Sequence, residues 1–130
     1  MQKNQILNFY KSWKMVIYPF WDTKFQLRNW FRHEGTEVSS FEDEIGNFLQ
    51  RYLDQKDHSE YHFFYQSELG KVVKQLYEKV HEYFLDIDSS YTSGIEEKFF
   101  TDPKWLTIVS LAKKMDEGLN QLIKEVENEY

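Results

Sequence analysis

Apolar side chains in this chain recur three and four positions apart far more often than they alternate, a spacing that predicts helices rather than strands. Over residues 3–17, Ile6, Tyr10, Trp13 and Ile17 share one face, with Phe9 and Val16 beside them. Because a proline disfavours helical backbone at the residue before it, Met15 to Trp21, which contains Pro19, has a second reading as a short extended stretch. Asp22 can cap a second, short helix through about Arg32, with Gly35 as its stop. Ser39 and Glu42 have the spacing of a capping box, and Phe41, Ile45, Phe48, Leu49 and Tyr52 carry a third helix to about Asp54.

Residues 60–87 form the next stripe, through Tyr65, Leu69, Val72, Leu76, Val80, Tyr83 and Ile87, and Ser89, Ser90, Ser93 and Gly94 break it. Asp102 followed by Pro103 marks a helix start, a cap with proline at the first helical position. Ile108, Ala112, Met115, Leu119, Leu122 and Val126 then alternate spacings of four and three, the seam of a coiled coil. The expectation is one all-α domain over residues 1–130. It would be a bundle of four to five helices with a long antiparallel pair in its C-terminal half. Tyr10, Trp13, Phe41, Ile45, Phe48, Leu69, Val72, Leu76, Val80, Ile108, Ala112, Met115, Leu119 and Leu122 are its expected core.

The length of 130 residues suits a single domain. The lack of cysteine excludes a disulfide scaffold, a thiol nucleophile and a Cys-ligated zinc site. The longest apolar run, Met15 to Trp21, is far short of the roughly 18 residues of a membrane span. No apolar stretch ending in small residues opens the chain, so no signal peptide is expected; the expectation is a cytoplasmic protein that does not engage a membrane.

Charge changes this picture by its placement. The net charge is −6, yet residues 1–33 carry six basic side chains against the single acid Asp22, a net of +5, leaving −11 on the rest. Nine aromatics lie in that basic quarter. Cations interleaved with aromatics can bind nucleic acid, since cations neutralise phosphates and rings stack on bases. The same residues also read as core rings with lysines solvating the outer helix face. Lys11, Lys14, Trp30 and Arg32 are the candidate binding residues of this quarter, for RNA or for a protein partner.

The sharpest local pattern is Arg28-Asn29-Trp30-Phe31-Arg32-His33. It resembles the Arg-x4–6-His signature of the HEPN ribonucleases, helical proteins in which two copies of the motif meet across a dimer in a metal-independent site. The resemblance implies that Arg28 would polarise the scissile phosphate, His33 would act as acid or base, and Asn29 would orient them. An Arg fork suits phosphate and His titrates near neutrality. The alternative is that Arg28 and Arg32 form a solvated stripe and His33 sits at a helix C-terminus.

No metal site and no cofactor are expected. Asp54, His58 and His62 are spaced four apart, but the helix reads as broken between Gln55 and Ser59, which makes surface roles of these histidines. Asp86, Asp88, Ser90, Thr92 and Glu97 match a calcium loop in spacing, yet Tyr91 stands where the turn needs glycine, so a polar interhelical loop is expected. The function expected on these grounds is a small helical regulator, inhibitor or immunity-type protein. It would bind another macromolecule, foremost a protein, without catalysis of its own. The alternative is a HEPN-like ribonuclease or an inactive RNA-binding relative, and either reading leaves room for a homodimer.

Overall fold

The computed structural model describes residues 2–31, 41–87 and 100–129, and every regular element among them is helical. Helix α1 spans Lys3–Trp21; α2, Thr23–Gln26, runs on into a π turn over Leu27–Phe31. Helix α3 covers Phe41–Gln55, a 3-10 turn at Ser59–Tyr61 leads into α4, His62–Tyr65, and the long helices α5, Glu68–Ile87, and α6, Pro103–Glu129, follow.

Side-chain pairings set the helix directions. Leu69 packs over Gly118 at one end of the α5–α6 pair, and Tyr83 meets Trp105 at the other, 5.3 Å between ring centroids, so the pair is antiparallel as expected. Helix α6 also runs against α1, since Lys14 reaches Asp116 and Asn120 while Phe20 lies by Trp105. On the far side of α1, Arg51 covers Trp13 and Glu44 shares a groove with Tyr18 and Pro19, which makes α3 antiparallel to α1. Tyr52 stacks on Tyr77 at 4.3 Å and joins α3 to α5. The four long helices therefore alternate in direction around a common core, the up-and-down bundle.

The core follows the expected stripes in Tyr10, Trp13, Ile45, Phe48, Val72, Leu76, Val80, Ile108, Ala112, Met115 and Leu119, all buried. Leu69 and Leu122 are only partly buried, at the edges of that stripe. Phe9, Ile17, Phe20, Trp30, Phe64 and Trp105 belong to the core as well and extend it along both ends of α1.

Three expectations on the elements are corrected. Met15 to Trp21 is helical, not extended. Pro19 cannot donate to the Met15 carbonyl, but Met15 is 78% exposed, so water can reach that face of the helix. The Pro19 carbonyl in turn accepts from Gln26 Nε2 at 2.9 Å, and continuing the helix buries Ile17 and Phe20. Second, the stripe over 60–87 is two helices. Ser67 Oγ accepts from the Gly70 N–H at 3.2 Å and caps α5, with Glu68 favourably placed in its first turn. Third, the segment after Asp22 is α-helical for one turn only before it widens at Leu27. Asp22 does cap it, accepting from Phe25 N–H at 3.0 Å, and Asp102 likewise caps α6 through Lys104 N–H at 2.9 Å. The Ser39/Glu42 box, the Gly35 stop, the side chain of the expected core residue Phe41 and residues 88–97 of the expected 86–97 loop lie outside the described residues.

Candidate functional site

Helix α1 presents one face to α3 and α6 and leaves the stripe Asn4, Asn8, Lys11, Met15 and Tyr18 outward. Met15, at 78% exposed, and Tyr18, at 39%, are apolar groups in a position where the helical period calls for polar ones. They border a groove of about 680 Å³ whose other walls include Lys11, Lys14, Trp21, Phe25, Glu44 and Asp116. The aromatic wall is rigid by mutual packing: Tyr18 meets Trp21 edge-on at 5.2 Å and Phe25 at 5.6 Å. Tyr18 Oη also donates to Asp22. Partial burial would raise the Asp22 pKa, but hydrogen bonds from Tyr18 and from the Phe25 and Lys24 N–H groups outweigh it and hold the carboxyl below its ordinary value. One charged residue thus caps α2 and fixes the ring that edges the groove.

The candidate binding residues are placed unequally. Lys11 is exposed on the rim. Lys14 is half turned inward, with Nζ 3.8 Å from Asp116 and donating to Asn120, so part of the basic quarter is balanced within the fold by Asp116 of the last helix. Trp30 is not a surface residue. It is 5% exposed and sits among Trp105, Phe25 and Phe20, ring centroids 5.9 to 6.4 Å away. Of the motif Arg28-Asn29-x3-His33, Arg28 is exposed in the π turn, while Arg32, His33 and the side chain of Asn29 lie outside the described residues. Asp54, His58 and His62 do not share a helix face, because the chain turns at Lys56 and Asp57, and no group of three metal-ligating side chains occurs among the described residues. No helix among them is long and apolar enough to cross a membrane.

A second groove, about 440 Å³, lies on the α3 side of α1 between Val16, Asn47, Gln50, Arg51, Asp54 and Gln55. Of these six, Asp54 alone belonged to a sequence pattern, the Asp54, His58 and His62 spacing, and the other five carried no motif. Behind it, Tyr65 Oη donates to Gln55 Oε1 at 2.7 Å. Burial pushes the hydroxyl of Tyr65 up, and that of Tyr52 beside it and of Tyr10 on α1 as well. The folded state therefore keeps these protons above the unfolded tyrosine value of about 10. Their contribution to stability is complete below that value and is lost as pH rises above it. Urea midpoints should hold steady through pH 9 and fall steeply between about pH 10 and 12. A midpoint that does not fall would show these hydroxyls to be solvent-accessible.

Comparison with protein-family models, with curated proteins and with solved structures finds no match to this chain. Outward apolar residues and two grooves flanking one helix are the features on which a functional reading can be built.

Proposed function

We propose that this protein is a small helical interaction protein that binds another protein through the outer face of α1, as a regulator or inhibitor does, without catalysis of its own. The observation that carries the reading is the stripe Lys11, Met15 and Tyr18 beside an aromatic-walled groove. Tyr and Met are enriched at the centre of protein interfaces, with charge displaced to the rim, and here Lys11 lies at the edge. A protein suits this face better than RNA. Of the aromatics in the basic quarter whose burial is described, Phe9, Tyr10, Trp13, Phe20 and Trp30 are buried, Trp21 and Phe25 are partly buried, and Tyr18 is exposed. Tyr18, Trp21 and Phe25 pack edge-on rather than in register, so they do not offer the successive stacking faces that single-stranded RNA uses.

A ribonuclease reading retains one supporting observation. Arg28, the residue that would meet the phosphate, is exposed in the π turn, while His33 lies outside the described residues. One capture experiment separates the two readings. The full chain, immobilised, is exposed to native lysate with and without nuclease, beside a Met15→Asp/Tyr18→Ala variant and a His33→Ala variant. Protein capture that survives nuclease, persists in His33→Ala and is lost in Met15→Asp/Tyr18→Ala is the expected result. Capture abolished by nuclease overturns it, and RNA cleavage lost in His33→Ala would establish the second reading instead.

A further inference from the structure

We infer that the groove between α1 and α3 is a carboxylate-binding site, with the Arg51 guanidinium as its anchor and an Asp or Glu side chain of the protein partner as its occupant. The source of that carboxylate rests on the proposed function; the site itself does not.

Arg51 is half-buried, with Cζ 5.5 Å over the ring of Trp13. Trp13 is fully buried, packed edge-on against Phe48 at 5.7 Å and stacked with Phe64, so it is a fixed platform. Stacking on an aromatic face holds a guanidinium in place without using its N–H groups. Those groups are then spare: no hydrogen bond or ion pair ties Arg51 to any of the described residues. The acid that could have taken them is close in sequence. Asp54 lines the same groove three positions on, yet its Oδ1 accepts from Gln50 Nε2 at 2.8 Å. A partly desolvated cation is ordinarily paired, and here no described residue takes that place beside the groove.

The surroundings complete the donor set. Gln55 spends its carbonyl oxygen on Tyr65, which leaves its amide N–H groups without a partner among the described residues, and the Asn47 side chain has none either. Val16 supplies an apolar wall. Guanidinium and amide donors around one concavity suit a planar oxyanion, and the Arg fork matches a carboxylate with two parallel bonds. Asp54 selects between oxyanions. Its negative charge in the groove opposes a phosphate dianion more strongly than a carboxylate monoanion. Arginine in a pocket of this kind is a common hot spot of protein interfaces. Val16, which lines this groove, directly follows Met15 on α1, so one partner could engage both grooves.

The test is a titration of the isolated full chain followed by the Arg Nε–Hε and side-chain amide NMR signals. Triglutamate, inorganic phosphate and sodium chloride are the probes, at matched ionic strength. Arg51, Gln55 and Asn47 should shift saturably with triglutamate, at concentrations on the order of millimolar for a single fork. Phosphate should need more, chloride should do nothing, and exposed Arg28 should drift without saturating. Arg51→Lys keeps the charge and loses the fork, and should weaken binding roughly tenfold with its melting curve unchanged. Asn47→Leu, at an exposed position of α3, provides a second variant that removes a donor without touching the Arg. Equal, unsaturated shifts at Arg28 and Arg51, or tighter binding of phosphate than of triglutamate, would overturn the assignment. Saturation without protein capture leaves this site standing and refutes the proposed function, and capture without saturation does the reverse.

Discussion

Replacing Gly70 with alanine is expected to cost about 3 kcal/mol and to lower the thermal midpoint by roughly 10 °C. The reason is the junction between α4 and α5. A Cβ at residue 70 would lie 2.5 Å from the Phe64 carbonyl oxygen and nearer still to that of Tyr65. Both obstacles are backbone, so no side chain can swing aside, and relief requires α4 to move off α5. That movement would drag Phe64, fully buried against Phe9 and Trp13, and would loosen the Ser67 cap. Helix propensity works in the opposite direction, favouring Ala over Gly by about 1 kcal/mol in a helix interior. Gly46 isolates that term. It is exposed on α3, and nothing lies within 4 Å of an added Cβ. Gly46→Ala should therefore stabilise the protein by about 0.5–1 kcal/mol. Chemical denaturation of both variants should give shifts of opposite sign. A stabilised Gly70→Ala would mean that α4 does not fold back over α5.

The same junction shows why some of the fold was legible in the sequence and some was not. The α6 stripe was readable because its seam is periodic and its start is marked by Asp102 and Pro103, both local signals. The break at Ser67 is marked only by a serine three residues before a glycine, inside a stripe whose apolar spacing runs on across it. Periodicity registers which residues face the core, and a tight kink between two core-facing segments leaves it nearly unchanged. Pro19 misled in the opposite sense. Its local preference for breaking the helix is overridden by contacts from Gln26, seven residues on, and by the burial of Phe20 against Trp105.

Legibility of the candidate site divides the same way. Lys11 and Lys14 could be picked out by charge, and they do border a groove. Trp30 could not be sorted between surface and core, because its burial depends on Phe20 and on Trp105, which is remote in the chain. Arg51 carries no motif at all. Its interest lies in being stacked on Trp13 and, among the described residues, unpaired beside an acid that is already engaged. Helical periodicity places Trp13 inward on α1, but only the antiparallel crossing of α1 and α3 sets Arg51 above it.

The largest single polar effect should come from Gln26. It is fully buried, the one polar, non-aromatic side chain that is so among the described residues. Its Nε2 donates to the Pro19 carbonyl at 2.9 Å and its Oε1 accepts from Trp105 Nε1 at 3.2 Å, so it joins the end of α1 to the start of α6. Gln26→Leu keeps the volume and removes both hydrogen bonds, which should cost about 2–6 kcal/mol, since each of the two deserted buried groups loses about 1–3. Gln26→Glu makes the prediction more specific. A carboxylate can accept from Trp105 Nε1 but cannot donate to the Pro19 carbonyl, and burial further disfavours its charge. Only the protonated acid can make both bonds, so the pKa of the introduced carboxyl in the folded protein must be raised above the unfolded value of about 4.3. The sign follows: relative to the wild type, the variant should be nearly as stable below that value and should lose stability as pH climbs above it, through the raised pKa. Urea midpoints of the two proteins, measured side by side from about pH 4 to pH 8, should therefore diverge with rising pH. A constant difference across that range would show that residue 26 is solvated and that the Pro19–Gln26–Trp105 link does not hold the bundle end together.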